Sequence, residues 1–148
     1  MEIIRKEEVQ TLTIRLFSPA IKLPEVLGGI YGEIAGLVTQ KGLSFTGAPF
    51  VLYRNMDMEN LDIEAGFPVA GTLEAAGRVK PSKLPSGEMA TALHTGSYDS
   101  MEGTYNALTA FVKDKGRETE DFMYEEYLNS PDEVKKEELQ TKIYFYLK

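Results

Sequence analysis

The sequence predicts an α+β domain in which two helices pack against one face of an antiparallel sheet with a central cleft. Two observations predict this class. Segments with the two-residue alternation of half-buried strands are interleaved with segments whose apolar residues recur at helical spacing. The two halves of the chain also resemble each other, since residues 30–42 read like residues 104–116 and Tyr53 corresponds to Tyr127.

The repeat has one constant offset, because positions 31 and 105 and positions 53 and 127 both differ by 74. Two copies of one strand-helix-strand-strand unit are expected, at approximately residues 9–75 and 86–148 of a single domain spanning 1–148. Such a duplication is pseudo-symmetric. It predicts a groove where the copies meet, and that groove is the first place to look for function.

The first copy opens with a strand over residues 9–17, where apolar and polar side chains alternate. A helix follows from Pro24, which suits a first turn because its missing N–H would have no partner there. Gly42 ends the helix, since glycine adopts the left-handed C′ conformation easily. Four glycines inside this helix weaken it and are interpreted as points of close packing against the sheet: Gly28, Gly29, Gly32 and Gly36.

A hairpin is expected to close the first copy. Residues 49–55 read as one strand and the stretch from Gly66 to Gly71 as its partner, with a polar, acidic connection over residues 56–65. Residues 76–85 are interpreted as the joint between the copies.

The second copy repeats this order. A strand over residues 88–94 leads to Asp99 and Glu102, whose spacing has the form of a capping box. The helical stripe that follows ends at Gly116. Two strands, at residues 122–128 and 141–147, are separated by a long polar loop.

Composition excludes several classes of protein. The formal net charge is −7 and no basic face is visible, so we expect no direct binding of nucleic acid. No apolar run is long enough to span a membrane, and the charged N-terminus is not a secretory signal. The chain has no cysteine and one histidine, His94, so we expect no metal site, no cofactor and a cytoplasmic protein. His94 is assigned a structural role at the end of its strand.

Strand alternation selects the candidate site. If the helices cover the more apolar Phe50 and Leu52, then Val51 and Tyr53 lie on the uncovered face, and the offset of 74 brings Glu125 and Tyr127 to the same face. A carboxylate flanked by tyrosines suits an amphipathic cation. The alternative is a surface pair between Glu125 and Lys142, and a one-residue slip would exchange Glu125 for Glu126.

The order of motifs resembles the GyrI-like, or effector-binding, domain family over nearly the whole chain. The matching segments are residues 84–98, Tyr105, Leu108, Gly116, residues 123–131 and 139–143, and in the first half residues 47–50, Tyr53 and residues 64–69. The resemblance implies two strand-helix-strand-strand units around an aromatic cleft with a buried glutamate. The family's Glu-x-Tyr-Leu motif maps that glutamate to Glu125, followed by Tyr127.

Members of this family are best known as ligand sensors of transcription activators that respond to lipophilic cations. This chain begins its first unit almost at Met1, so it is expected to be a stand-alone member without a helix-turn-helix module. The resemblance implies a binding protein for amphipathic, cationic compounds. Its expected ligand-binding residues are Glu125, Tyr127, Tyr53, Tyr105, Tyr31 and Val51.

Two alternatives follow from other members of the family. Some stand-alone relatives resemble hydrolases of reactive cyclopropane-bearing compounds, in which Glu125 would be the catalytic general base. The gyrase-inhibitor member suggests a protein partner instead, such as a topoisomerase or a regulator. The sequence does not decide between these functions, because a base and a countercharge can occupy the same position.

Overall fold

The structure is a computed structural model that describes residues 1–148. It contains nine strands and two α-helices. In chain order they are β1 (Glu2–Lys6), β2 (Val9–Ser18), α1 (Leu23–Gln40), β3 (Ser44–Phe45), β4 (Phe50–Tyr53), β5 (Leu61–Ala70), β6 (Lys80–Leu84), β7 (Gly87–Thr95), α2 (Met101–Asp114), β8 (Thr119–Tyr127) and β9 (Gln140–Leu147).

The chain divides into two compact units. The N-terminal unit is Glu8–Pro85, and the C-terminal unit combines Met1–Glu7 with Ser86–Lys148. Antiparallel pairing orders the strands β4-β5-β2-β6 in the N-terminal unit, where β3 also pairs with β5, and β1-β7-β9-β8 in the C-terminal unit. Each unit contains a strand, a helix and two strands in that order. The α+β class predicted from the sequence is confirmed.

In the N-terminal unit, α1 packs one side against the sheet. Pro24 lies in the first turn, and Gly42 follows the helix with a φ of 66°, as the sequence predicted. The buried side chains of α1 are Ile30, Ile34 and Val38, which repeat at the spacing of one helix face. Burying each of these side chains contributes about 1.5–3 kcal/mol, so this stripe holds α1 in place.

The glycines of this unit have roles that differ from the prediction. A Cβ on Gly28, Gly29, Gly32 or Gly36 would meet no atom within 4 Å, so these residues do not mark close packing. In β5, by contrast, a Cβ on Gly66 would lie 1.9 Å from the backbone oxygen of Leu12. The close approach of two backbones therefore occurs in the sheet and not under the helix.

Two segments that were predicted to be connections contain strands in the structure. β5 begins at Leu61, so the last part of the predicted loop 56–65 pairs with β2 and β4. Leu61, Ile63 and Ala65 are buried, but the acidic residues between them hid the alternation. The predicted joint, residues 76–85, contains β6, which pairs with β2 along its whole length.

In the C-terminal unit, α2 presents Met101, Leu108 and Val112 to the sheet, as the helical stripe predicted. The capping box is wrong. The N-cap of α2 is Ser100, without a side-chain hydrogen bond to the helix, and Asp99 belongs to a short 3-10 turn before it. An additional strand, β1, was not predicted and pairs with β7.

Candidate ligand-binding site

Glu125 is a buried carboxylate near the C-terminal end of β8. Its residue surface is only 7% exposed, and it stands opposite Ile143 of β9. The Tyr105 hydroxyl donates a hydrogen bond to Oε2, and the Tyr127 hydroxyl donates one to Oε1 at 2.7 Å. Two uncharged hydroxyl donors therefore orient both carboxylate oxygens of Glu125. The position of Glu125 in β8 does not by itself fix that orientation.

The helix α2 supplies Tyr105 from the turn before its buried Leu108. The Tyr105 ring lies 5.8 Å from the Phe145 ring, centroid to centroid, and its hydroxyl lies 3.9 Å from the Met123 sulfur. Met123 and Phe145 are register partners, so their side chains share one side of the sheet with Glu125. That side faces α2.

The predicted face is therefore wrong for the C-terminal unit. Glu125 and Tyr127 were expected on the side without a helix, yet the contact with Tyr105 places Glu125 on the side that α2 covers. The grouping of Glu125 with Tyr127 is correct, because residues two apart in a strand share a side. Only the prediction of which side of the sheet the helix covers was wrong.

The same inversion holds in the N-terminal unit. Val51 is opposite Ala65, and Phe67 shares the side of Ala65 in β5. The Tyr31 ring of α1 lies 5.4 Å from the Phe67 ring, so this side faces α1. Val51 is fully buried, whereas an uncovered face was predicted. Both sides of β4 are apolar and buried. The sequence of this strand therefore does not indicate which of its sides the helix covers.

The remaining predicted tyrosines also lie within this unit. Tyr53 is half-buried at the end of β4, opposite Ile63. The Tyr31 hydroxyl donates a hydrogen bond of 2.9 Å to the backbone oxygen of Phe50. Ligand contacts by Tyr31, Tyr53 and Val51 stay predictions from the sequence.

The surface pair between Glu125 and Lys142 does not form. Lys142 is the register partner of Glu126, on the other side of the strand. There Glu126 accepts a hydrogen bond of 3.1 Å from the Tyr144 hydroxyl. Of the two adjacent glutamates, Glu125 is the buried one, as the family resemblance implied.

Tyr98 is a site residue that sequence reasoning missed. It lies in the 3-10 turn before α2, and its ring meets the Tyr127 ring edge-on at 6.0 Å. Burial raises the pKa of Tyr98, and the negative charge of Glu125 raises it further. With 43% of its surface exposed, Tyr98 offers an accessible aromatic ring beside the buried acid. Tyr98 is the last residue of the family-matching segment 84–98, but it lies outside any periodic pattern that would have assigned it to this site.

His94 has the structural surroundings that the sequence predicted. Its Nδ1 lies 2.7 Å from the Thr104 hydroxyl, and its Nε2 lies 3.0 Å from the Ser97 oxygen and 3.1 Å from the Ser100 hydroxyl. These contacts tie β7 to the turn that begins α2. No carboxylate orients the imidazole, so the arrangement lacks the acid of a Ser-His-Asp triad.

A second buried carboxylate, Glu64, lies in the N-terminal unit. Thr13 donates a hydrogen bond of 2.9 Å to Oε2, and the Arg54 guanidinium donates to Oε1. Burial would raise the pKa of Glu64, but hydrogen bonds from Ser82, Arg54 and Thr13 bring it below the ordinary value. The carboxylate of Glu64 is therefore paired with a cation of its own chain.

The donors at Glu125 define what the site can do. The tyrosine hydroxyls orient the carboxylate by hydrogen bonds, so a buried acid lies among aromatic rings. Aromatic rings add attraction for a cation through their π faces. Fold and site together therefore have the features of a small-molecule binding domain.

Comparison with known proteins gives the family. The family model described as "GyrI-like small molecule binding domain" matches residues 11–148. The chain belongs to this GyrI-like family. No curated protein matches it in sequence.

Solved structures share the fold. The C-terminal domain of EcmrR is similar at a TM-score of 0.83 and 23% identity, over 99% of this chain and 96% of that domain. EcmrR in its complex with DNA is similar at a TM-score of 0.86 and 23% identity, over 99% of this chain and 56% of that one. The chain thus spans little more than half of the EcmrR chain.

Two further relatives are more distant in sequence. A hydrolase from Listeria innocua is similar at a TM-score of 0.74 and 13% identity, over 99% of this chain and 91% of that one. SAV2435 bound to tetraphenylphosphonium is similar at a TM-score of 0.66 and 9% identity, over 99% of this chain and 93% of that one.

Neither helix of this chain has both the length and the apolar character needed to cross a membrane.

Proposed function

We propose that this protein binds amphipathic organic cations, with Glu125 as the countercharge and Tyr105, Tyr127 and Tyr98 as the surrounding aromatic residues. The observation that carries the proposal is the buried carboxylate held by two tyrosine hydroxyls. A ligand cation would bring the opposite charge to this carboxylate and aromatic rings to its sides. The similar fold of SAV2435, which is bound to tetraphenylphosphonium, supports the same class of ligand.

The strength of the expected interaction follows from electrostatics. Two unit charges 4 Å apart attract by about 4 kcal/mol at an effective dielectric constant of about 20, and desolvation of both partners offsets part of this. Ring contacts add about 0.5–2 kcal/mol for a cation over an aromatic face. Removing the charge of Glu125 should therefore weaken a cationic ligand by about 10- to 100-fold.

Titration calorimetry with tetraphenylphosphonium tests the proposal. Glu125→Gln keeps the shape of the side chain and removes its charge, so affinity should fall by about 10- to 100-fold. Glu126→Gln is the matched control, since it makes the same change on the other side of the same strand. Triphenylphosphine oxide provides an uncharged probe of similar size. Equal affinity of the wild type and Glu125→Gln for the phosphonium would contradict the proposal.

The hydrolase function is a second candidate, favoured by the pairing of a buried carboxylate with a hydroxyl donor. Glu125 would act as general base on a water that attacks a strained electrophile, and Tyr105 would position the substrate. The similar fold of a Listeria innocua hydrolase supports the comparison at the level of the fold. Incubation with an electrophilic arylcyclopropane checks it: product formation should be lost in Glu125→Gln, and turnover that persists there would exclude this mechanism.

A further inference from the structure

His94 lies on the same side of the sheet as the candidate site. It is the register partner of Thr141 in β9, and Thr141 is the register partner of Tyr127 in β8. Residues in register across neighbouring strands share a side, so His94 and Tyr127 face the same way, two strands apart. The surface of His94 is only 6% exposed. Its imidazole therefore offers no surface to a ligand and can act on the site only through another residue.

The hydrogen-bond partners of the imidazole define its tautomer. Nε2 lies 3.0 Å from the backbone oxygen of Ser97, and a carbonyl oxygen can only accept, so Nε2 carries the proton and donates. In the neutral ring Nδ1 then accepts from the Thr104 hydroxyl at 2.7 Å. The Ser100 hydroxyl donates to the same Ser97 oxygen at 2.8 Å. Two side chains, from β7 and from the turn before α2, thus converge on one carbonyl group.

This carbonyl group stands at the start of the segment that carries Tyr98. Ser97 immediately precedes the 3-10 turn Tyr98–Ser100. Gly96 allows the chain to leave β7 in this direction, with a φ of 134° that residues with side chains rarely adopt, and its N–H donates to the Leu139 oxygen at 2.8 Å. The turn is therefore anchored at Gly96 and at Ser97, directly before the tyrosine.

We propose that His94 is a positioning residue of the ligand site, which holds the Tyr98 ring against Tyr127 through its hydrogen bond to the Ser97 carbonyl. The two rings meet edge-on at 6.0 Å. Tyr98 is 43% exposed, so burial alone does not fix its ring and the anchored turn must do so. This inference rests on the proposed function for its effect on affinity, but the place of the Tyr98 ring is measurable without a ligand.

Two substitutions of His94 separate its two hydrogen bonds. In His94→Gln the amide nitrogen lies near the position of Nε2 and can still donate to Ser97. In His94→Asn the shorter side chain places an amide oxygen near the position of Nδ1, where it can accept from Thr104, but no donor reaches Ser97. Thr104→Val is the matched control, because it removes the other hydrogen bond of the imidazole and leaves the contact with Ser97.

Calorimetric titration with tetraphenylphosphonium measures the effect on binding. We expect His94→Asn to weaken the phosphonium by about two- to fivefold, the loss expected when the Tyr98 ring itself is removed. His94→Gln and Thr104→Val should stay within about twofold of the wild type, even where their unfolding free energy falls. The double variant His94→Asn, Tyr98→Ala should bind as Tyr98→Ala does, since His94 acts through that ring.

Nuclear magnetic resonance of the free protein measures the positioning directly. Long-range ¹H–¹⁵N correlations of the imidazole should show the proton on Nε2 in the wild type, a result that does not depend on the folding of any variant. Nuclear Overhauser effects between the Tyr98 and Tyr127 rings should be present in the wild type and His94→Gln and lost in His94→Asn. If Glu125→Gln leaves phosphonium affinity unchanged, the proposed function fails, whereas these effects still test the role of His94.

Three results would overturn the proposal. The first is a neutral imidazole with its proton on Nδ1, because Nε2 could then not donate to Ser97. The second is a His94→Asn variant that keeps both the ring-to-ring Overhauser effects and wild-type affinity, or a His94→Gln variant that loses as much as His94→Asn. The third is a double variant that binds more weakly than Tyr98→Ala by a further factor equal to the loss in His94→Asn, which would mean that His94 acts independently of Tyr98.

Discussion

Tyr105 of α2 donates a hydrogen bond to Glu125 of β8, and this contact joins the helix of the C-terminal unit to the one buried carboxylate of that unit. Because Leu108 on the next turn is fully buried, the helix cannot shift without losing its core contact. The acid is thus oriented by groups that are in place without a ligand. Such preorganisation lowers the ordering that binding requires.

The second donor to this acid gives a prediction about stability. Tyr127→Phe removes the hydroxyl that lies 2.7 Å from Oε1 and leaves a buried carboxylate with fewer partners. A hydrogen bond to a charged group contributes about 1.5–3 kcal/mol. Urea denaturation should show a loss of unfolding free energy in that range.

Tyr98→Phe serves as the control for this measurement. Its ring also lies beside Glu125, but Tyr98 is 43% exposed and its contact with Tyr127 is made by the ring. We expect a change within about 0.5 kcal/mol, as for other exposed substitutions. Equal losses in the two variants would mean that the Tyr127 hydroxyl does not stabilise the acid.

The sequence predicted elements well where the apolar residues have a clear period. The helices α1 and α2 each have one buried face, and helical spacing located them to within a few residues. The alternation of apolar and polar residues located β2 and β7, although four successive residues are buried in each strand. In β4, Phe50, Val51 and Leu52 are all buried, and apolar character could not tell which side the helix covers. In β5, acidic residues within the strand concealed its first half.

The candidate site was predictable in part for the same reason. Alternation separated Glu125 from Glu126, and the family motif pointed to the same residue. The contact with Tyr105 depends on how α2 crosses the sheet, which a one-dimensional pattern does not contain. Glu64 was missed because its partners Thr13, Arg54 and Ser82 come from three different segments.

Glu64 should govern part of the acid sensitivity of folding. The pKa of this carboxyl is lowered in the folded protein relative to the ordinary value of 4.5. The folded state therefore binds the proton less readily than the unfolded chain, and the contribution is fully present above about pH 4.5. It is lost as the pH falls below 4.5 through the lower folded value.

Urea denaturation of Glu64→Gln at several pH values measures this contribution. The variant should be less stable than the wild type at pH 7, and its stability should decline less between pH 5 and pH 3, because the titrating group is gone. Asp57→Asn, which removes an exposed acid from the same unit, is the control. Parallel pH profiles for wild type and Glu64→Gln would assign the acid sensitivity to other groups.

Glycine substitutions should have opposite effects in the sheet and in α1. In Gly66→Ala the added Cβ would meet the Leu12 oxygen at 1.9 Å, so the strands must separate and we expect a loss of at least about 3 kcal/mol. In Gly36→Ala the added Cβ meets nothing within 4 Å in an exposed helix position. That variant should gain about 0.5–1 kcal/mol. Thermal denaturation followed by circular dichroism measures both, and a destabilised Gly36→Ala would contradict the open space beside α1.

Tyr98 should contribute to ligand affinity through its ring and not through its hydroxyl. The ring is accessible and lies edge-on to Tyr127, which donates to Glu125. A cation–π contact at an exposed site contributes about 0.5–1 kcal/mol, so Tyr98→Ala should weaken tetraphenylphosphonium by about two- to fivefold. Tyr98→Phe keeps the ring and should bind as the wild type does. Calorimetric titration of both variants distinguishes the ring from the hydroxyl, and a weakened Tyr98→Phe with affinity equal to that of Tyr98→Ala would assign the contribution to the hydroxyl.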